Sequence, residues 1–268
     1  MGGLFIPFLF IVGKDLLQDT IQDEEDIKEI TKVPIIGSIT KGKKKQYVVV
    51  RNNTRTAIAE RFRLIRTNLQ FVKRKGPQTI LLTSSIGGEG KTFVAVNLAM
   101  SFALMKKKTI LIGMDLRKPK LQEYLGEPHK SIGVTEYILG NNTLEEVIQS
   151  MQEQPNLDYI MSGSVPFNPN ELLSEKVVSE MFAHLQREYQ VLIIDTAPAG
   201  LVSDAFLLNE FITNTIYVVR ANVTKKQMLI NANEMLEKAR LKNTSILLND
   251  VAVGGKYGYG GNYGYYEN

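Results

Sequence analysis

The chain has no cysteine and only two histidines, His129 and His184, in 268 residues. Without cysteine there is no disulfide framework and no thiolate metal site, which fits a reducing compartment. Two histidines leave little room for a zinc site or for His-based catalysis, and His184, within "EMFAHLQREY", reads as a helix-surface residue. A membrane-crossing run is missing as well. The apolar stretch "GGLFIPFLFIV" at the amino end falls short of the about 20 residues that span a bilayer. It has no basic residue before it and no small-residue cleavage site, so it is not a signal peptide. A strong excess of charge is also lacking. The net charge of +4, with one short run at Lys41 and Lys43 to Lys45, comes with no nucleic-acid reading module, and a nucleic-acid partner is not expected.

What is present begins at that amino end. The apolar run reads either as a buried strand or as the tail of a transmembrane helix, and the acidic helical stretch "KDLLQDTIQDEEDIKEI" after it favours the helix tail. Residues 1–13 are then expected to be a transmembrane remnant, and 14–54 a juxtamembrane helix and linker. In that linker, Pro34, Gly37 and Gly42 break structure, and the lysine run suits anionic headgroups. Residues 55–253 are expected to form the folded domain, and 254–268 a flexible tail. From Thr79 onward, short apolar runs ("TILLTS", "TILIGMD", "LDYIMSG", "YQVLIID", "NTIYVVR", "TSILLND") alternate with helical stretches at 92–105, 171–187, 203–212 and 225–241. Continuous apolar strands, each followed by a helix, predict an α/β fold: a mostly parallel sheet covered on both faces.

The strongest local signal is "TILLTSSIGGEGKTFVAVNLA". Gly90, Lys91 and Thr92 fit the phosphate-loop pattern G-x-x-x-x-G-K-[ST], while Ser85 stands where its first glycine belongs. Gly87, Gly88 and Gly90 allow backbone N–H groups to turn inward as an anion nest at a helix N-terminus. Lys91 is placed to reach the β- and γ-phosphates of ATP, and the Thr92 hydroxyl to serve Mg²⁺. Two strands end in aspartate, Asp195 in "QVLIIDTAP" and Asp115 in "TILIGMDLRKP", which suits metal-bound water beside such a loop. Arg117 follows the second. Asn249, ending the last strand, is either an adenine contact or a turn-former. The carboxyl end, "KYGYGGNYGYYEN", carries five of the chain's eleven tyrosines: Tyr257, Tyr259, Tyr263, Tyr265 and Tyr266.

Taken in order, these features resemble the bacterial tyrosine kinases (BY-kinases) of polysaccharide co-polymerase systems over essentially the whole chain. "SSIGGEGKT" is similar to their Walker A loop, "VLIIDTAP" to Walker B and "ILIGMDLRKP" to Walker A′. Glu60, Arg63 and Arg66 match the family's E-x-x-R-x-x-R helix, and "SGSVPFNPNELL" is also family-like. The resemblance implies a P-loop NTPase-like fold of the deviant-Walker group and an ATP- and Mg²⁺-dependent tyrosine autokinase at the cytoplasmic face of the bacterial plasma membrane. Lys91, Asp115 and Asp195 would be catalytic. Ser85, Gly87, Gly88, Glu89, Gly90, Lys91, Thr92, Phe93, Arg117 and Asn249 would contact nucleotide, and Thr92, Asp115 and Asp195 would serve the metal. The tail tyrosines would be phosphorylated in trans within a ring held through Glu60, Arg63 and Arg66. Implied partners are neighbouring copies, the chain's own transmembrane and periplasmic half, the polysaccharide export machinery and a tyrosine phosphatase. One departure stands out. Walker A′ usually carries two aspartates, two apart, and here the first position is Gly113. The rival within the same fold is a partition or division-positioning ATPase, whose loop lysine is replaced here by Ile86; a second rival is an ATP-binding assembly regulator with weakened catalysis.

Overall fold

The structure, a computed structural model, describes residues 19–42, 46–70, 76–127, 132–238 and 241–252. The apolar run of residues 4–12, Lys43 to Lys45, His129 and the tail tyrosines lie outside the described residues. The chain builds one eight-stranded sheet from β1 (Ile35–Thr40), β2 (Gln78–Ser84), β3 (Thr109–Met114), β4 (Gln149–Ser150), β5 (Leu157–Ile160), β6 (Val191–Thr196), β7 (Asn214–Arg220) and β8 (Thr244–Val251). Their spatial order is β1-β8-β7-β2-β6-β3-β5-β4. All neighbours run parallel except β4, which pairs antiparallel with β5 at the far edge.

Alternating side chains of one strand serve opposite layers. Ile80 and Leu82 of β2 face the layer that holds α2 (Ala57–Gln70) and α3 (Lys91–Ala103), whereas Leu81 faces α8 (Lys176–Glu188). The helix α8 buries Val178, Met181, Phe182 and Leu185, a single stripe at helical spacing. On the same side as α8, toward the β7–β8 edge, α10 (Lys226–Glu237) buries Leu229, Ala232 and Leu236 together with Ile21 and Ile27 of the amino-terminal arm. The arm's helix α1 (Glu24–Ile30) starts at Asp23, whose carboxylate accepts from the Glu25 and Asp26 amides. Short helices α4 (Leu121–Leu125), α5 (Val134–Ile138), α6 (Leu144–Val147), α7 (Pro169–Leu173) and α9 (Asp204–Leu207) fill the connections.

Three segments differ from the sequence expectation, among them 203–212, where α9 is followed by a separate 3-10 turn, Asn209–Phe211, instead of one helix. Ile35–Thr40, within the stretch that reads as a linker, is the parallel edge strand β1, paired with β8 from Ile35↔Ile246 to Thr40↔Val251. The helix expected over 171–187 is divided into α7 and α8, because Glu175 takes an extended conformation between them.

The topology fixes where a ligand crevice opens. From β2 the chain crosses to β3, moves outward to β5, returns to β6 between β2 and β3, and then passes to β7 on the other side of β2. The carboxyl end of β2 is therefore a switch point, flanked by β6 and β7.

Candidate active site

The loop between β2 and α3 stands at that switch point. Gly88 and Gly90 have φ of +88° and +96°, the left-handed region that glycine enters without strain. At Gly90 a side chain is also barred by space: an ideal Cβ would lie 2.1 Å from Asn249 Nδ2. Lys91 opens α3 and is buried, its ammonium donating to Ser84 Oγ at 3.1 Å. Burial pulls its pKa down, against the opposing pull of the carboxylates of Asp195, Asp115 and Glu89.

Asp195 is the penultimate residue of β6, beside Leu82 of β2 on one side and Gly113 of β3 on the other. It is 3% exposed; Oδ2 accepts from Thr92 Oγ1 at 2.7 Å, and Oδ1 is buried without a hydrogen-bond partner. Burial is the largest cause that lifts its pKa to about 6, with the Thr92 hydrogen bond and the Lys91 charge working against it. An orphaned buried carboxylate oxygen next to a threonine hydroxyl and a loop lysine is a donor set that suits a hydrated divalent cation. Residues and cation therefore fit.

The structure explains the serine in place of the loop's first glycine. Ser85 Oγ lies 3.0 Å from the phenol oxygen of Tyr217, a fully buried residue of β7, so the loop is tied to the neighbouring strand at its base. The segment after β6 closes over the same base: Gly200 N–H donates to Ser84 O at 3.3 Å, and an ideal Cβ on Gly200 would fall 2.4 Å from Ser85 O.

Comparison with known proteins decides among the readings of this site. Residues 77–243 match a family model described as an AAA domain. Over 220 residues the chain is 33% identical to the tyrosine-protein kinase YwqD of Bacillus subtilis, covering 82% of this chain and 90% of that one. The chain belongs to the bacterial tyrosine kinases. It superposes on the crystal structure of the chimerical protein CapA2B2 with a TM-score of 0.80 and 32% identity, covering 86% of this chain and all of the other. Over 280 residues it is 31% identical to EpsB of Ralstonia solanacearum, spanning 99% of this chain and 37% of EpsB's length. The expected P-loop NTPase-like α/β fold is thus the observed one.

Several of the other residues singled out from the sequence are engaged within the protein. Arg117, expected at the phosphates, makes a two-point ion pair with the buried carboxylate of Asp204 (3.1 Å at each contact) and donates to Asn170 Oδ1 at 2.8 Å. Asp115 is half-buried, and its Oδ1 accepts the amides of Arg117 (3.3 Å) and Lys118 (3.0 Å), so one oxygen shapes the turn after β3. Phe93 packs edge-on to Phe62 against the core, with centroids 5.8 Å apart. Asn249 Nδ2 donates to the Glu89 carbonyl at 2.9 Å. The Glu89 side chain is fully buried and bonded within the protein to the Ile86 amide and the Thr224 hydroxyl.

The E-x-x-R-x-x-R helix also divides its labour. Arg66 donates to the carbonyl and hydroxyl of Ser101, at 2.8 and 3.2 Å, and so pins α2 to α3. Glu60 pairs with Arg63, which also donates to Thr54 O at 2.6 Å. Gly113 is packed closed: an ideal Cβ there would meet Ser162 Oγ at 2.8 Å and Ser162 N at 3.1 Å. The space of the missing aspartate is thus occupied by Ser162. Residues that the sequence did not single out, namely Tyr217, Thr224, Asp204 and Ser162, share one trait. Each is a polar group with its residue nine-tenths or more buried. A tyrosine within an aliphatic strand was the one local signal among them.

Proposed function

We propose that the chain is an ATP-dependent protein-tyrosine autokinase that phosphorylates the carboxyl-terminal tyrosine cluster of a neighbouring copy. The observation that carries this reading is the Lys91–Thr92–Asp195 constellation, with its unpartnered buried carboxylate oxygen, in a chain of this family. The phenol oxygen of an acceptor tyrosine attacks the γ-phosphorus of ATP, the bond from that phosphorus to the β–γ bridging oxygen breaks, and ADP leaves. Asp115 accepts or orients the phenolic proton, since a free tyrosine has a pKa of about 10. Lys91 and the inward amides of the loop neutralise the phosphates. Thr92 and Asp195 would hold Mg²⁺, which would supply positive charge to offset that of the phosphates.

The names of the relatives support a role in capsular or exopolysaccharide synthesis and export at the cytoplasmic face of the membrane. There the chain works as a ring-like homo-oligomer with its own membrane half and is reset by a phosphatase. The packing around Gly113 favours one second reading, an ATP-binding assembly regulator with weakened transfer. Mass spectrometry of residues 254–268 after incubation with Mg·ATP tests both. Phosphotyrosine in the wild type and none in Lys91→Met is the expected result. Normal ATP affinity without phosphotyrosine supports the regulator, and phosphate release without labelling supports a partition-type ATPase.

A further inference from the structure

A phosphate loop binds anions through its N–H groups, so its carbonyls must face outward and be held there. In this chain the holding groups come from the end of β7, the turn after it and the end of β8. Arg220 Nη1 donates to Gly88 O at 2.7 Å, while its Nε and Nη2 rest on Asp250 Oδ2 at 3.0 and 2.8 Å. Asn249 Nδ2 holds Glu89 O. Beneath the loop, the Glu89 carboxylate takes the Ile86 amide on Oε2 at 2.8 Å and the Thr224 hydroxyl on Oε1. Thr224 Oγ1 in turn accepts the Arg220 amide at 2.9 Å, so one hydroxyl joins the turn to the loop. Both Glu89 and Thr224 have no exposed surface. A carboxylate buried under an anion site works against phosphate binding by charge, and burial pushes its pKa up. Its presence therefore calls for an organising role that outweighs the repulsion.

We propose that Glu89 and Thr224 are positioning residues of the phosphoryl transfer: Thr224 orients the Glu89 carboxylate, and the carboxylate holds residues 86–89 in the anion-binding form. This rests on the reading of residues 85–92 as the nucleotide site. The Glu89 side chain is thus a brace inside the loop, and contact with nucleotide is left to its backbone amide. Two observations support the assignment over plain packing. Both carboxylate oxygens are engaged by groups from different parts of the chain, and the outward carbonyls of Gly88 and Glu89 are fixed by the same turn and strand end.

The test uses the full chain with Mg·ATP as the probe. Thr224→Val keeps the shape and removes the hydroxyl; it is expected to weaken Mg·ATP binding about tenfold, the worth of a hydrogen bond to a charged group. KM for ATP should rise in parallel, while kcat changes by less than about threefold, because the loop grips ground state and transition state alike. Thr224→Ser restores affinity to within about threefold. Glu89→Ala, which removes the carboxylate through which Thr224 acts, should bind no more tightly than the double variant Thr224→Val/Glu89→Ala. Binding by Thr224→Val as tight as wild type overturns the inference, and so does a serine variant as weak as valine or additive losses in the double variant. If wild type itself fails to bind Mg·ATP, the nucleotide-site reading falls first and this inference with it.

Discussion

Replacing Asp195 with asparagine removes a charge from a place where it is costly, and the chain should become more stable in the absence of metal and nucleotide. The Asp195 pKa rises from 3.8 to about 6 on folding, with burial as the main cause. At about 1.4 kcal/mol per pH unit, the ionised carboxylate therefore costs the folded state about 3 kcal/mol at neutral pH. The sign follows from proton binding. Between pH 3.8 and 6 the folded form holds more protons at this site than the unfolded form, so this contribution to stability falls as pH rises through that window. It is fully lost above about pH 6. Asparagine does not titrate; its amide can still accept from Thr92, but its N–H₂ takes the place of the orphaned oxygen without an acceptor. That unmet donor offsets about 1–2 kcal/mol. Urea denaturation of both proteins between pH 4 and 8, without Mg²⁺ or nucleotide, should show the variant gaining on wild type by about 2–3 kcal/mol across the range. For a domain of this size that corresponds to roughly 5–10 °C in melting temperature. Addition of Mg²⁺ with nucleotide should stabilise wild type more than the variant. A difference between the two proteins that stays constant from pH 4 to 8 would refute the assignment of the buried charge.

Two further expectations follow from packing. Gly113→Asp, which restores the family's first Walker A′ aspartate, should lower stability by about 1–3 kcal/mol and fail to raise autophosphorylation, because its Cβ runs into Ser162; adding Ser162→Gly should recover much of the loss, as read by urea denaturation and tail labelling. Arg66→Ala should destabilise the isolated chain by about 1–3 kcal/mol through loss of the bonds to Ser101, whereas Glu60→Ala, at an exposed pair, should leave the melting temperature within a degree or two and act, if at all, on sedimentation.

The strands of the sheet were legible because their apolar runs are continuous, as burial on both faces requires, and the phosphate loop because glycines and Lys91-Thr92 follow one of them directly. β1 escaped notice for a physical reason. As an edge strand it buries only Ile39 fully, and Gly37 and Ser38 interrupt its apolar run, so its composition is that of a loop. The Arg117–Asp204 pair spans 87 residues, and Thr224–Glu89 spans 135. Contacts at such separations leave no periodicity to read. Charge type alone directs Arg117 toward phosphate; only the fold reveals the buried Asp204 carboxylate beside it.

The pairing of β1 with β8 has a consequence for the order of assembly. The first strand finds its sheet partner in the last, some 210 residues later, and the final contact joins the Lys41 amide to Val251 O. During synthesis β1 must therefore wait, unpaired, until β8 has left the ribosome, which places their pairing among the slow, high-separation contacts of folding. A nascent chain stopped before Thr244 would lack at once the seat of β1 and the amide of Asn249 that fixes the phosphate loop. Completion of the sheet and fixing of the phosphate loop therefore depend on one and the same strand.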